Sequence, residues 1–174
     1  MHAVLPSWKS SLSFNGSNYL TSPYSTDFNL NSGEFTIDFI MKKTDNSQSQ
    51  SSVYNGSSNQ RGWICGYDPN RLSFIYSTDG AGYTELFSSV VWTPTMGVYH
   101  HISFVRMGNV LTMYVDGIQL GTNFAFNVTL FSANTALLVN GYNSAAMASC
   151  CISGFRIAKF ARWTRNFIPP HKPY

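Results

Sequence analysis

Tyr99-His-His-Ile-Ser-Phe-Val-Arg-Met-Gly-Asn-Val-Leu-Thr-Met-Tyr-Val-Asp-Gly-Ile-Gln-Leu-Gly-Thr122 decides the fold class of this chain. Residues 99–106 are rich in aromatic and β-branched side chains and stop at Met107-Gly108-Asn109. Residues 110–115 follow, with Leu111, Met113 and Val115 on one face and Thr112 and Tyr114 on the other. Asp116-Gly117 then returns the chain into residues 118–121. Alternation with period 2, bounded by short turns that accept positive φ, is the mark of antiparallel strands. The stretch therefore predicts a three-stranded meander.

The same grammar extends in both directions. In residues 34–42, Phe35, Ile37, Phe39 and Met41 share one face, and Thr36, Asp38 and Lys42 share the other. Residues 11–14 and 19–21 read as short strands around Asn15-Gly16, a strong hairpin pair. Residues 62–67 and 71–77 flank Asp68-Pro69-Asn70, and residues 83–88 follow the turn Asp79-Gly80. Residues 136–142 and 151–159 supply two more strands, and Pro169, Pro170 and Pro173 end regular structure. Residues 44–60 are polar and without period, and are expected to form a long surface loop. Roughly ten to thirteen strands are too many for one open sheet, so two stacked sheets are expected. There is no long helical pattern and no internal repeat.

Composition agrees. Only 11% of the 174 residues are charged, against about 25% in ordinary globular proteins, while 16% are aromatic. Ser, Asn, Thr and Gly carry solubility, as in β-rich proteins with many turns. The net charge is +3. The basic and aromatic residues between Phe155 and Lys172 read as a strand and tail with solvated charges rather than as a nucleic-acid stripe, which comes with a far more basic chain. Cys65, Cys150 and Cys151 are an odd count with an adjacent pair, so they are expected as reduced, mostly buried thiols. No stretch approaches the ~20 apolar residues of a membrane span. Residues 1–9 lack the pattern of a signal peptide, so synthesis in a host cytoplasm is expected and the sequons at Asn15, Asn55 and Asn127 carry little weight.

These residues resemble a known family. Ser13-Phe14-Asn15-Gly16 with Tyr19-Leu20 is similar to the opening motif of laminin-G-like, concanavalin A-like domains. Gly33-Glu34-Phe35-Thr36-Ile37-Asp38-Phe39 is similar to their second motif. Tyr99 to Arg106 and Leu111 to Gly117 resemble the paired central strands. Ile152-Ser153-Gly154-Phe155-Arg156-Ile157 resembles the last strand, and Ala161 to Pro170 the closing motif, which is frequent in bacteriophage structural proteins. The resemblance runs in order from about residue 11 to residue 170. It departs at Ile40 and Tyr99, where the family usually has tryptophan. It implies an all-β, two-sheet antiparallel jelly-roll sandwich at residues 10–160, with an arm at 1–9 and a tail at 161–174 packed on the domain. Arg156 is expected to anchor the last strand by a fork of hydrogen bonds.

Catalysis is not expected. The glucanases of this fold carry a Glu-x-Asp-x-x-Glu run, which is missing here. Retaining glycosidases need two carboxyls ~5 Å apart. Glu34 and Asp38 stand about 13 Å apart on one strand at 3.3 Å per residue and read as solvated. His100 and His101 are neighbours on a strand and must face opposite ways, one packed and one exposed. No cofactor and no metal site are expected. Ca2+ stays open as a minor alternative, through Asp68 or Asp79 with carbonyls, because the eight carboxylates are never clustered.

Binding and assembly remain. The resemblance implies a non-enzymatic virion surface protein, a decoration or tail component, that packs on capsid or tail proteins and on its own copies as a homo-oligomer. The alternative is a carbohydrate-binding receptor or adhesion module directed at cell-surface glycans, with neither nucleic acid nor membrane as partner. For glycan binding the sequence favours Tyr67, Asp68, Asn70 and Arg71 at one turn, with Tyr83.

Overall fold

The computed structural model describes residues 10–45 and 51–170. The N-terminal arm at 1–9 and the last four residues of the tail lie outside the described residues. In chain order the strands are β1 (Leu12–Asn15), β2 (Leu20–Ser22), β3 (Phe35–Lys43), β4 (Ser51–Ser57), β5 (Gln60–Asp68), β6 (Arg71–Tyr76) and β7 (Thr84–Phe87). They continue with β8 (Tyr99–Met107), β9 (Val110–Val115), β10 (Ile118–Gln119), β11 (Phe124–Ala125), β12 (Leu137–Val139), β13 (Gly141–Tyr142), β14 (Ala145–Ala146) and β15 (Ser149–Ala158). Among the described residues, one 3-10 turn, Thr26–Phe28, is the only helical element.

Two antiparallel sheets stack as a jelly roll. One runs β1-β15-β3-β8-β9-β10, with β11 also pairing β9, and the other runs β2-β12-β4-β5-β6-β7. The meander of residues 99–122 is present, and its Asp116-Gly117 turn has φ of 51° and 77°, as a type I′ hairpin requires. Between the sheets, Phe35, Ile37, Phe39 and Met41 of β3 meet Trp63, Cys65 and Tyr67 of β5 and Leu72, Phe74 and Tyr76 of β6. Phe74 is the hub: its ring lies 5.7 Å from Phe35 and 6.0 Å from Phe104 across the sandwich, and 5.6 Å from Phe126. All three cysteines are buried thiols outside any disulfide.

Three local expectations change. Asn15-Gly16 does not close a hairpin, because β1 pairs β15 in one sheet and β2 pairs β12 in the other. The turn carries the chain between layers. Residues 44–60 are not all loop: β4 lies inside the six-stranded sheet between β12 and β5, with Val53, Tyr54 and Asn55 buried. Asp38 is not solvated but 0% exposed, whereas Glu34 is exposed.

Asp38 is buried because the outer face of the seven-stranded sheet is covered. Thr36, Asp38 and Ile40 of β3 and His101 and Ser103 of β8 are all 0% exposed there. A strap of residues 159–170 lies over them. Thr36 Oγ1 donates to the Phe160 carbonyl and accepts from the Arg162 amide. Trp163 stacks flat on Phe167 at 4.0 Å, and the His101 ring stands perpendicular to both, at 5.4 and 5.6 Å. The Phe167 amide donates to the Gly117 carbonyl, and a Cβ at Gly117 would come within 1.9 Å of the Phe167 carbonyl oxygen. A one-residue bulge in β15, with Gly154 at φ 57°, sets Arg156 opposite Asp38. Its Nε and Nη2 donate to the two carboxylate oxygens at 2.9 and 2.7 Å, the fork expected from the sequence.

A charge pair buried this well is most costly when half of it is removed. Arg156→Met takes the guanidinium from the buried Asp38 carboxylate and is expected to lower the unfolding free energy by about 3–5 kcal/mol in urea titration. The double variant Asp38→Leu/Arg156→Met is expected to recover part of that loss. A double variant no more stable than the single one would contradict this account.

Candidate functional site

The outer face of the six-stranded sheet is treated differently, and the register dictates its content. Thr21, Leu138, Tyr54, Ile64, Ile75 and Glu85 are successive cross-strand partners from β2 to β7, so they form one row on that face. Gly66, Ser73 and Phe87 form the next row, and Asp68 with Arg71 the one after. The first row is mainly apolar, which is unusual for a face turned away from the core. Its apolar members are sheltered by Tyr19, Tyr83 and Tyr142 instead of by a strap.

The hairpin of β13 and β14 folds over β4 and lays Tyr142 against Tyr54, with ring centroids 5.0 Å apart. Its turn residues Asn143 and Ser144 hold φ of 47° and 63°, the left-handed pair that a two-residue hairpin demands. A Cβ at Gly141 would meet the Tyr19 side chain at 3.0 Å, so a larger residue there would require Tyr19 to give way. The Tyr54 hydroxyl donates to Asn143 Oδ1 at 3.1 Å and sits 3.4 Å from the Tyr83 hydroxyl. Arg61 stands 5.2 Å from the centre of the Tyr83 ring and donates to the Ala81 carbonyl. Burial pushes the hydroxyls of Tyr54 and Tyr83 above the usual phenol range, most strongly at Tyr54, where the bond to Tyr83 adds to it.

Beside this cluster lies an open depression of about 240 Å³. Ile64, Ser73 and Ile75 make its floor, and Tyr83, Tyr142, Glu85 and Met147 its rim. The rims of Tyr83 and Tyr142 are half-buried and Glu85 is exposed. An apolar floor, two aromatic walls and a few polar groups at the edge form a site that can take a flat, partly apolar ligand with hydroxyls to bond.

The five residues favoured from sequence are dispersed. Tyr83 walls the depression. Tyr67 borders it, but its ring is turned into the core, 2% exposed, edge-on to Trp92 with Lys43 at 5.4 Å. Asp68 and Arg71 share the outer face two rows away, about 13 Å along the strands at 3.3 Å per residue. Asn70 holds the turn at φ 68°, its side chain accepting from Thr93 Oγ1. Tyr142 and Glu85 were not favoured from sequence. The β13–β14 hairpin lays Tyr142 over this face, and Glu85, two residues after Tyr83, stands opposite Ile75.

The two histidines face opposite ways. His101 Nε2 meets Asp38 Oδ2 at 3.1 Å under the strap, and His100 Nδ1 meets Asp116 Oδ2 at 2.7 Å near Trp92. His100 is also largely covered, with 12% of its side chain exposed. Among the described residues no group of three or more His, Cys, Asp or Glu side chains is placed to hold a metal, and no helix is long and apolar enough to cross a membrane.

Comparison with known proteins agrees with this architecture. A family model described as "Concanavalin A-like lectin/glucanases superfamily" matches residues 14–164. No curated protein matches the sequence. Among solved structures, domains LG4-5 of the mouse laminin alpha1 chain superpose with a TM-score of 0.65 at 15% identity, over 92% of this chain and 45% of that one. The binding domain of Paraclostridial Mosquitocidal Protein 1 gives 0.63 at 12% identity, over 88% and 43%. The binding domain of botulinum neurotoxin serotype G gives 0.58 at 14%, over 90% and 45%. The chain thus spans less than half the length of each of these structures.

The tyrosine cluster has a pH signature. The stability carried by its neutral hydroxyls is fully present below the unfolded phenol value of about 10 and is lost as the pH rises from there toward the raised folded values. Tyr54→Phe is expected to flatten the alkaline fall of the melting temperature. An unchanged alkaline slope would place the responsible groups elsewhere.

Proposed function

The chain belongs to the concanavalin A-like lectin/glucanase superfamily, and on that premise we propose that it is a non-enzymatic carbohydrate-binding module whose ligand lies on the outer face of the six-stranded sheet, between Tyr83 and Tyr142. The observation that carries this reading is the pair of half-buried tyrosine rings walling an open depression with an apolar floor. Sugar rings have apolar faces that pack on aromatic rings and hydroxyls that bond to polar rims. Tyr83, Tyr142, Ser73 and Glu85 offer both. The ligand meets a scaffold already in place, since Asn143 and Tyr54 hold the walls by hydrogen bonds from behind. Asp68 and Arg71, on the same face, extend the surface for a longer chain. Superposition on toxin binding domains and laminin domains supports the fold of such a module, not its ligand. Nothing in this reading needs calcium.

A second reading concerns where such a module sits. Exposed Leu12 and Leu20, 52% and 47% accessible, stand on β1 and β2, the edge strands of the two sheets. Between them opens a cleft of about 300 Å³ lined by Val139, Ile152 and Phe155. Among the described residues no strand pairs the outer sides of β1 and β2, and two such edges around an apolar cleft favour packing against other protein. With the closing motif in residues 161–170, they support a component of a virion surface that assembles with its own copies and with capsid or tail proteins.

Each reading has its own measurement. Tyr142→Ala and Tyr83→Ala are each expected to weaken glycan binding by about tenfold or more in a glycan array followed by calorimetry. Unchanged affinity in both would remove the depression as the site. For assembly, light scattering is expected to give a discrete oligomer whose mass is indifferent to calcium or chelator and falls in Leu12→Glu/Leu20→Glu. A monomeric wild type would end that reading.

A further inference from the structure

We propose that the depression discriminates sugars by charge. It accepts neutral and amino-bearing pyranoses and rejects sialylated, uronic or sulfated ones, with Glu85 as the discriminating residue. The proposal rests on the glycan reading of the same groove.

Glu85 is the one ionised side chain among the residues that line the depression. Ile64, Ile75 and Met147 are apolar, and Ser73, Tyr83 and Tyr142 bring only hydroxyls. Glu85 stands opposite Ile75 on the edge strand β7, exposed to solvent. Among the described residues no hydrogen bond or ion pair engages its carboxylate, unlike Asp38, Asp79 and Asp116, whose oxygens hold internal groups. Both oxygens are therefore available to a ligand. An ionised carboxylate only accepts, so it suits vicinal hydroxyls or an ammonium group and offers nothing to another anion. A like charge at about 4 Å costs roughly fivefold in affinity in bulk water and far more at a protein surface.

Cations that could reverse this preference are otherwise engaged or distant. The Arg61 guanidinium is outside the lining, held by the Ala81 carbonyl and the Tyr83 ring. Arg71 is rooted two rows away, and its guanidinium lies 5.9 Å from the centre of the Phe87 ring, outside the lining of the depression. The chain as a whole carries +3. A general electrostatic attraction would thus favour acidic glycans, opposite to the preference assigned to Glu85.

The test is an array of matched oligosaccharides, each with and without sialic acid or sulfate, probed with wild type, Glu85→Gln, Glu85→Lys and Tyr142→Ala. Wild type is expected on the neutral members, with signal falling at least fivefold on their acidic partners. Glu85→Gln is expected to weaken neutral binding by about tenfold and to narrow the discrimination. Glu85→Lys is expected to shift binding toward the acidic members. A wild type that prefers acidic glycans, or a Glu85→Lys profile equal to wild type while Tyr142→Ala still abolishes binding, would overturn the charge assignment and leave the groove standing. Failure of wild type to bind any glycan, or binding indifferent to Tyr142→Ala, would overturn the groove and the assignment with it.

Discussion

The bidentate pair between Asp38 and Arg156 is the contact on which the seven-stranded side of the sandwich depends. It joins β3 to β15, and through His101 it reaches β8. Low dielectric makes such a pair strong once formed and expensive to leave half made. The pair therefore demands a cover that excludes water, and the Trp163–Phe167 stack provides it, with Arg156 and Arg162 each 5.6 Å from the centre of the Trp163 ring. Strap, bulge and ion pair form one mutually dependent unit. The bulge aims Arg156, Arg156 neutralises Asp38, and the strap keeps Asp38 dry.

Capping one sheet has a consequence for the other. A stacked pair of sheets has two outer faces. Here the strap closes one of them, and its Thr36, Asp38 and His101 serve stability. Among the described residues, the β13–β14 hairpin with Tyr142, together with Tyr19 and Tyr83, lies over the other outer face. Those cover Tyr54 fully yet leave Ile75 and Glu85 accessible beside Tyr83. An open surface remains where the cover is incomplete. The asymmetry between the two faces, rather than the jelly roll itself, singles out the surface proposed to bind a ligand, since a fold of this kind serves many unrelated functions.

The legible and the hidden parts of the fold differ in a physical way. The strands of the meander announce themselves because one face is apolar and the turns need positive φ, both properties of neighbours in sequence. β4 does not, because Ser51, Ser52, Asn55, Gly56 and Ser57 have little intrinsic preference for a strand. It is held by ladders on both sides, from β12 and β5. Asn15-Gly16 has the residues of a hairpin but joins strands of two layers, because β1 and β2 find better partners in β15 and β12 than in each other. Asp38 reads as solvated from alternation alone, since only the distant strap, more than a hundred residues along the chain, decides that its face is dry.

By itself the sequence determined the class: an antiparallel all-β sandwich, its central meander, the inward faces of β3 and β9, and the absence of a glucanase-type carboxylate run. These follow from short-range periodicity, which the backbone converts directly into geometry. The tertiary structure alone decided which outer face is closed and which is open, and that Tyr83, Tyr142 and Glu85 share one depression while Tyr67 turns inward. Those facts depend on register between strands far apart in the chain. A single-residue shift of register would send every side chain to the opposite face, and nothing local in the sequence encodes that choice.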